Sequence, residues 1–309
     1  MTNKTKQIFI KGLQLIVAII CLLYISYEIS EEKQYVNTLV AYQENINLID
    51  KLLPLSAVLF ISVLNWSIEF LKWKISVSHF RKINFSKAAY HSFASHSIAI
   101  FTPQRIGEYA AKFIFFHKRN RKKVLLANFR TSYSQLMSTL VFGLIALFYF
   151  VKYYGLELNN TIMYSVLILV ILSATILFFT KENFQNKIKS LLIKRPKQLM
   201  LLITLSLIKH LVFSHQYFFL LNFIIEVDYL ETMMAINLMY LFASFLPSFF
   251  IVDFAIKGSV AIFIFNYLGV SATAVGLVSF VMWFLNFALP AIIGTVLLSQ
   301  HTLKKTALS

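Results

Sequence analysis

The chain has 309 residues, of which 58% are hydrophobic, and its mean hydropathy is +0.71, which excludes a soluble domain with a large core. Its 29 Lys and Arg against 13 Asp and Glu give a net charge of +16. A nucleic-acid-binding reading is excluded too, because the basic residues fall in loops between apolar runs, where the positive-inside rule places them.

Several runs reach the roughly 20 apolar residues that a membrane-crossing helix needs. The longest polar stretch, about Glu28 to Lys51, is too short for a soluble domain of ordinary size. Residues 1–309 therefore read as one all-α, polytopic membrane domain. Cys21 is the single cysteine, so no intramolecular disulfide forms, and no metal site is expected. With basic loops taken as cytoplasmic, the N-terminal Lys4, Lys6 and Lys11 are inside. A first helix spans about Ile8 to Tyr27 and is expected to be retained rather than cleaved as a signal peptide. The acidic loop from Glu28 to Asp50 is outside. Helix two, about Leu52 to Phe70, returns to Lys72, Lys74, Arg81, Lys82 and Lys87 inside.

The next apolar stretch, Ala88 to His117, is interrupted at Pro103 and Gly107 and then meets Lys118, Arg119, Arg121, Lys122 and Lys123. Basic residues bound it at both ends. Each arm has about 10 to 14 residues, roughly 15 to 21 Å of helix, against a hydrocarbon core of roughly 30 Å. A re-entrant hairpin from the cytoplasmic face satisfies both facts.

Helix three, about Val124 to Phe150, leads outside to Tyr153–Asn160. Helix four, about Thr161 to Phe179, returns to the basic stretch from Lys181 to Lys197. Helix five, about Gln198 to Phe223, ends outside at Glu226, Asp228 and Glu231. A second broken segment, Met233 to Leu268, is interrupted at Pro247 and followed by the uncharged turn Asn266–Ser271. The last helix, about Ala272 to Ser299, ends at Lys304 and Lys305. The second broken segment thus enters from the external face. The expected architecture is six full transmembrane helices plus two opposed re-entrant hairpins, eight segments by hydropathy alone, with both termini cytoplasmic. Eight ordinary spans with proline kinks is the alternative, and it places the Arg119–Lys123 cluster or its neighbours outside, against the charge rule.

Ionisable residues inside such segments are candidate functional residues, because an unpaired charge there costs several kcal/mol. At the first break these are Arg105, Glu108 and Lys112. Arg105 offers a planar fork suited to phosphate oxygens. Glu108 is positioned to orient Arg105 or to pair with Lys112, one turn on. At the second break Asp253 and Lys257 have the same spacing and are expected to pair, with Gly258 permitting close packing. Lys209, His210 and His215 lie among the apolar residues of helix five, where a structural hydrogen-bonded role competes with a proton relay. Arg130 is placed to snorkel. His91 and His96 fall on different helix faces, which argues against a shared metal site, and Glu69 reads as interfacial. Pro103 and Pro247 mark the breaks. No nucleotide-binding loop, nucleophile elbow or zinc-protease motif is present, which argues against ATP-driven transport by these residues alone; no cofactor is expected, and an enzymatic role is expected less than a binding or transport one.

The stretch Phe101-Thr102-Pro103-Gln104-Arg105-Ile106-Gly107-Glu108 resembles the signature of the lysylphosphatidylglycerol synthase transmembrane region, or flippase-like, family. Pro247 to Val260, Tyr267-Leu268-Gly269-Val270-Ser271 and Asn286 to Gly294 are similar to that family's C-terminal half, and Trp73-Lys74 also fits. At the second break Lys257 stands where the family has arginine, and the family's adjoining glutamate is missing. The resemblance implies binding or movement of a lipid, anionic or polyprenyl-linked, between leaflets. Together with the ionisable residues of the broken segments and of helix five, this makes Arg105, Gly107, Glu108, Lys112, Lys209, Asp253 and Lys257 the substrate-binding candidates. The aminoacyltransferase domain of full-length synthases has no counterpart in these residues, so synthesis of lysylphosphatidylglycerol is not expected. Two other readings stand beside transport: a membrane-embedded enzyme acting on a lipid headgroup, and a non-transporting partner of a cell-envelope enzyme.

Overall fold

A computed structural model describes residues 16, 19–32, 48–100, 102, 107–155, 195–246 and 250–306. The expected helix four, Pro103, Arg105 and Pro247 lie outside the described residues. The described chain is almost entirely helical, with no strand among the described residues. The helices are α1 (residues 19–31), α2 (Leu48–Val77), α3 (Phe85–Ala99), α4 (Gly107–Phe113) and α5 (Arg121–Tyr153). They continue with α6 (Pro196–Ile224), α7 (Tyr229–Phe245), α8 (Phe250–Asn266), α9 (Ala272–Trp283) and α10 (Leu289–Thr306). A π-helical turn, Phe284–Ala288, joins α9 to α10.

Among the described residues, four helical stretches are long and apolar enough to cross a membrane: Pro54–Val77, Lys118–Tyr153, Pro196–Ile224 and Ala272–Gln300. They coincide with the second, third, fifth and last full spans expected from sequence. Large apolar side chains such as Phe60, Ile114 and Phe148 stand exposed on the outside, while Asn65, Lys72, His96, Lys112, Ser134 and Gln216 are buried within. This inversion of the soluble pattern suits a chain whose surroundings are hydrocarbon.

The two interrupted segments behave differently from the four spans. Helices α3 and α4 have 15 and 7 residues and pack on each other. At 1.5 Å per residue they are about 22 and 10 Å long. Helices α7 and α8 have 17 residues each, about 25 Å, and also pack on each other. Side-chain oxygens start three helices: Asn84 accepts from the Lys87 amide, Asp228 from that of Glu231, and Ser271 from that of Ala274. Gly269, at φ +65°, turns the chain from α8 into α9 in the left-handed conformation that glycine adopts without strain.

Ends rich in one sign of charge gather together. Near the end of α2 the Ser76 hydroxyl donates to the Ala127 carbonyl (2.7 Å), Phe80 and Trp73 contact Phe116, and Gln198 donates to the Ile75 carbonyl (2.5 Å). The end of α2, the end of the first broken segment and the starts of α5 and α6, all beside basic residues, thus meet at one pole. At the opposite pole Glu32, Glu226, Asp228 and Glu231 line a cleft of ≈ 440 Å³ with Leu268–Ser271. Each broken segment therefore begins and ends at a single pole, α3–α4 at the basic one and α7–α8 at the acidic one.

Two main apolar clusters, and a small third one of Ile100, Phe287 and Ala291, are found among the described residues. The largest joins α5–α9 through Phe150, Leu221, Ile236, Leu241, Ile262, Phe265 and Val275. The second packs Phe70, Trp73, Val77, Ala88, Phe116 and Val124 around the first broken segment. Helices α3 and α10 approach so closely that a Cβ on Gly294 would collide with the Phe93 backbone. Small residues permit such contacts between helices in lipid, where close packing replaces the hydrophobic drive.

Candidate functional site

The first break is built around Thr102. Its hydroxyl oxygen accepts the Gly107 amide (2.8 Å) and donates to the Ala99 carbonyl (2.7 Å), tying the end of α3 to the start of α4. A Cβ at Gly107 would stand 2.7 Å from the Thr102 methyl, so the tie requires glycine.

One turn into α4, the i, i+4 spacing brings Lys112 Nζ to 2.7 Å from Glu108 Oε1. The same ammonium donates to Asn128 Oδ1 on α5 (2.6 Å) and lies 4.1 Å from the Trp73 ring centroid on α2. That cation–π contact gives Lys112 a third favourable neighbour at 1% exposure. Trp73 Nε1 donates to His91 Nδ1 at 3.4 Å, and His91 stacks on Phe115.

Toward the middle of the bundle, Glu69 on α2 takes Lys209 of α6 at 2.5 Å and stands 4.0 Å from Lys72. Lys72, also 1% exposed, donates to Gln135 Oε1 on α5 at 3.0 Å. Lys72 and Lys112 both lie within electrostatic reach of Glu69, and Glu108 within reach of Lys72. Three ammonium groups thus share two carboxylates. Isolated ions in such a position cost several kcal/mol each, so the group holds only as a network.

Among the sequence candidates, Glu108, Lys112 and Lys209 therefore converge on one ionic group, and Gly107 begins the helix that carries the first two. Glu69, which the charge pattern places at the interface, is part of that group, because α2 runs on to Val77 and carries residue 69 well inside the helix. Lys72 is buried for the same reason and is not a loop cation. Asn128 and Gln135 carried no signal in the sequence. As neutral amides in a long apolar run they resemble ordinary polar spots.

The second break holds a separate pair. Lys257 donates to Asp253 at 2.7 Å, with Asp253 buried and Lys257 at 40% exposure. Gly258 faces α1: a Cβ there would sit 3.3 Å from Ile25, and Ser259 donates to the Cys21 carbonyl (3.2 Å). The π-helical turn lies between the breaks. His96 of α3 hydrogen-bonds the Phe287 carbonyl at 3.0 Å, and Phe287, Trp283 and Phe254 follow in successive ring contacts toward Asp253. Asn286 on this turn bonds Asn65 of α2 (2.8 Å) and Gln216 of α6 (3.0 Å).

The remaining candidates are structural in their contacts. His210 bonds Asn237 at 2.8 Å and stacks on Phe142; His215 bonds the Tyr229 hydroxyl at 2.9 Å; Arg130 donates to Gln198 at 3.3 Å. No group of three metal-ligating side chains occurs among the described residues. Comparison with known proteins finds no family model, no curated protein and no solved structure that matches this chain.

Proposed function

We propose that this chain is a flippase-like membrane protein that binds a lipid with an anionic headgroup, phospholipid or polyprenyl-linked, and moves it between leaflets. The observation that carries the reading is the ionic group where α4 meets α2, α5 and α6, in which three lysines face two carboxylates inside an apolar bundle. A net positive group in that position favours an anion that brings its own negative charge. Two interrupted segments, each with its two flanking helices packed on one another, support the reading, because interrupted helices in membrane proteins mark the path of a substrate. In this reading α3–α4 and α7–α8 are re-entrant hairpins, and the basic pole faces the cytoplasm of a cell whose inner membrane holds the protein. Lys112 and Lys209 meet the headgroup, Arg105 is a further candidate from its place in the sequence three residues before Glu108, and Glu69 and Glu108 keep the empty site neutral enough to fold. Acyl chains remain in the bilayer along the exposed apolar faces. The test is exchange of fluorescent lipids between leaflets of liposomes holding the purified protein. Faster movement of anionic than of zwitterionic lipid, lost in Arg105→Ala, supports the reading, and equal rates with and without protein refute it.

A further inference from the structure

Asn128 and Gln135 lie seven residues apart on α5, two turns and about 10 Å along one face. Each receives a buried lysine: Lys112 on Asn128 Oδ1 and Lys72 on Gln135 Oε1. An ammonium only donates, so the amide oxygen of each side chain must face its lysine. The two NH2 groups are thereby turned away from the lysines. Asn128 Nδ2 is fully buried and has no acceptor among the described residues, in a side chain 1% exposed. A buried donor without an acceptor costs about 1–3 kcal/mol. The fold keeps this one beside a group of three ammonium ions and two carboxylates, and an oxygen-rich anion is a group that could accept from it.

We infer that Lys72, Lys112, Asn128 and Gln135 form a phosphate-binding slot in which the two amides donate to phosphate oxygens and the two lysines supply the charge. The inference rests on the proposed lipid function for its source of phosphate, and it names phosphate as the part of the headgroup recognised. Neutral amides are suited to this position. A carboxylate at either place would pair with its lysine and close the slot, whereas an amide holds the lysine and still offers N–H donors. Glu69 and Glu108 each engage one of these lysines from within its own helix, α2 or α4, whereas both amides stand on α5.

Asn128→Asp and Gln135→Glu test this directly. Each gives its lysine a better partner, so both variants are expected to melt at or above the parent temperature in detergent. Each also removes a donor pair and adds a negative charge. The full chain in detergent is titrated with phosphatidylglycerol, with a diacylglycerol of the same chains, and with inorganic phosphate as competitor, and retained lipid is read by native mass spectrometry. Phosphatidylglycerol should outbind the diacylglycerol, inorganic phosphate should displace it, and each variant should bind it about tenfold or more weakly. Protection of the parent, but not the variants, from melting by inorganic phosphate, with no preference between the two lipids, would keep the slot and assign it to free phosphate. Parent-like binding of phosphatidylglycerol and phosphate by both folded variants would overturn the slot. Leaflet exchange on the same proteins separates the two proposals. Parent-rate exchange in the variants counts against the slot alone, and slot-dependent binding without exchange in the parent counts against transport alone.

Discussion

Glu69 on α2 and Lys209 on α6 lie 2.5 Å apart although 140 residues separate them in the chain. This pair joins two membrane-length helices and places the α6 cation beside Lys72. Removing one partner should leave an unbalanced charge in the bundle. Glu69→Gln is expected to lower stability by about 3 kcal/mol, the lower end for a buried pair broken on one side. The double variant Glu69→Gln/Lys209→Met should recover most of that loss. Melting in detergent checks both, and a double variant no more stable than the single would show that the pair is not the cause.

Gly294 predicts a steric limit at the contact between α3 and α10. A methyl group there meets the Phe93 backbone, which cannot swing aside as a side chain would. Gly294→Ala should cost about 1–3 kcal/mol, the usual range for overpacking. Gly276→Ala serves as the control, because its nearest neighbours would stand 3.8 Å from the added carbon. Equal melting temperatures for the two variants would show that the close approach is not required.

At the acidic pole, Glu32 clasps the start of α9. Its carboxylate accepts from the Ser271 hydroxyl (2.7 Å) and from the Ala272 and Thr273 amides (2.8 and 2.9 Å). Burial alone would raise this carboxyl, but the hydrogen bonds from Thr273, Ser271 and Ala272 outweigh it and hold it below the ordinary glutamate value. The folded state therefore binds the Glu32 proton less readily than the unfolded one. This contribution is complete above the ordinary carboxylate range and fades as pH falls through and below it. Glu32→Gln should raise hydrogen exchange at Ala272 and Thr273 at neutral pH and remove this group's share of the acid sensitivity. Unchanged exchange at those amides would argue against the clasp.

The two interrupted segments predict a labelling pattern. In a Cys21→Ala background, Lys82→Cys and Lys118→Cys should react with a membrane-impermeant thiol reagent from one side only, the same for both. Asp228→Cys and Asn266→Cys should react from the other. Opposite sidedness for the first two would mean that α3 and α4 together cross the membrane.

Local spacing made part of this site legible in the sequence. Lys112 with Glu108 and Lys257 with Asp253 are visible because residues four apart share a helix face. The poles were visible because Glu226, Asp228 and Glu231 and the Lys118–Lys123 cluster mark opposite ends of the spans. Glu69–Lys209 was hidden, since nothing near either residue names a partner 140 positions away. Lys72 was misplaced because an apolar run broken by lysines reads as the end of a helix. In fact α2 continues to Val77, with Trp73 and Lys72 turned inward. The π-helical turn at Phe284–Ala288 left no mark either. Its reason is tertiary, with His96 holding the Phe287 carbonyl and Asn286 bridging Asn65 and Gln216.

Headgroup-selective lipid movement through the ionic group is the central claim, and leaflet exchange in liposomes tests it most directly. The parent is compared with Glu108→Gln/Lys112→Met, which removes one charge of each sign and so leaves the net charge of the group unchanged. The parent should move anionic lipid faster than zwitterionic lipid, and the folded double variant should lose that selective movement. Exchange of anionic lipid by the double variant at the parent rate would contradict it.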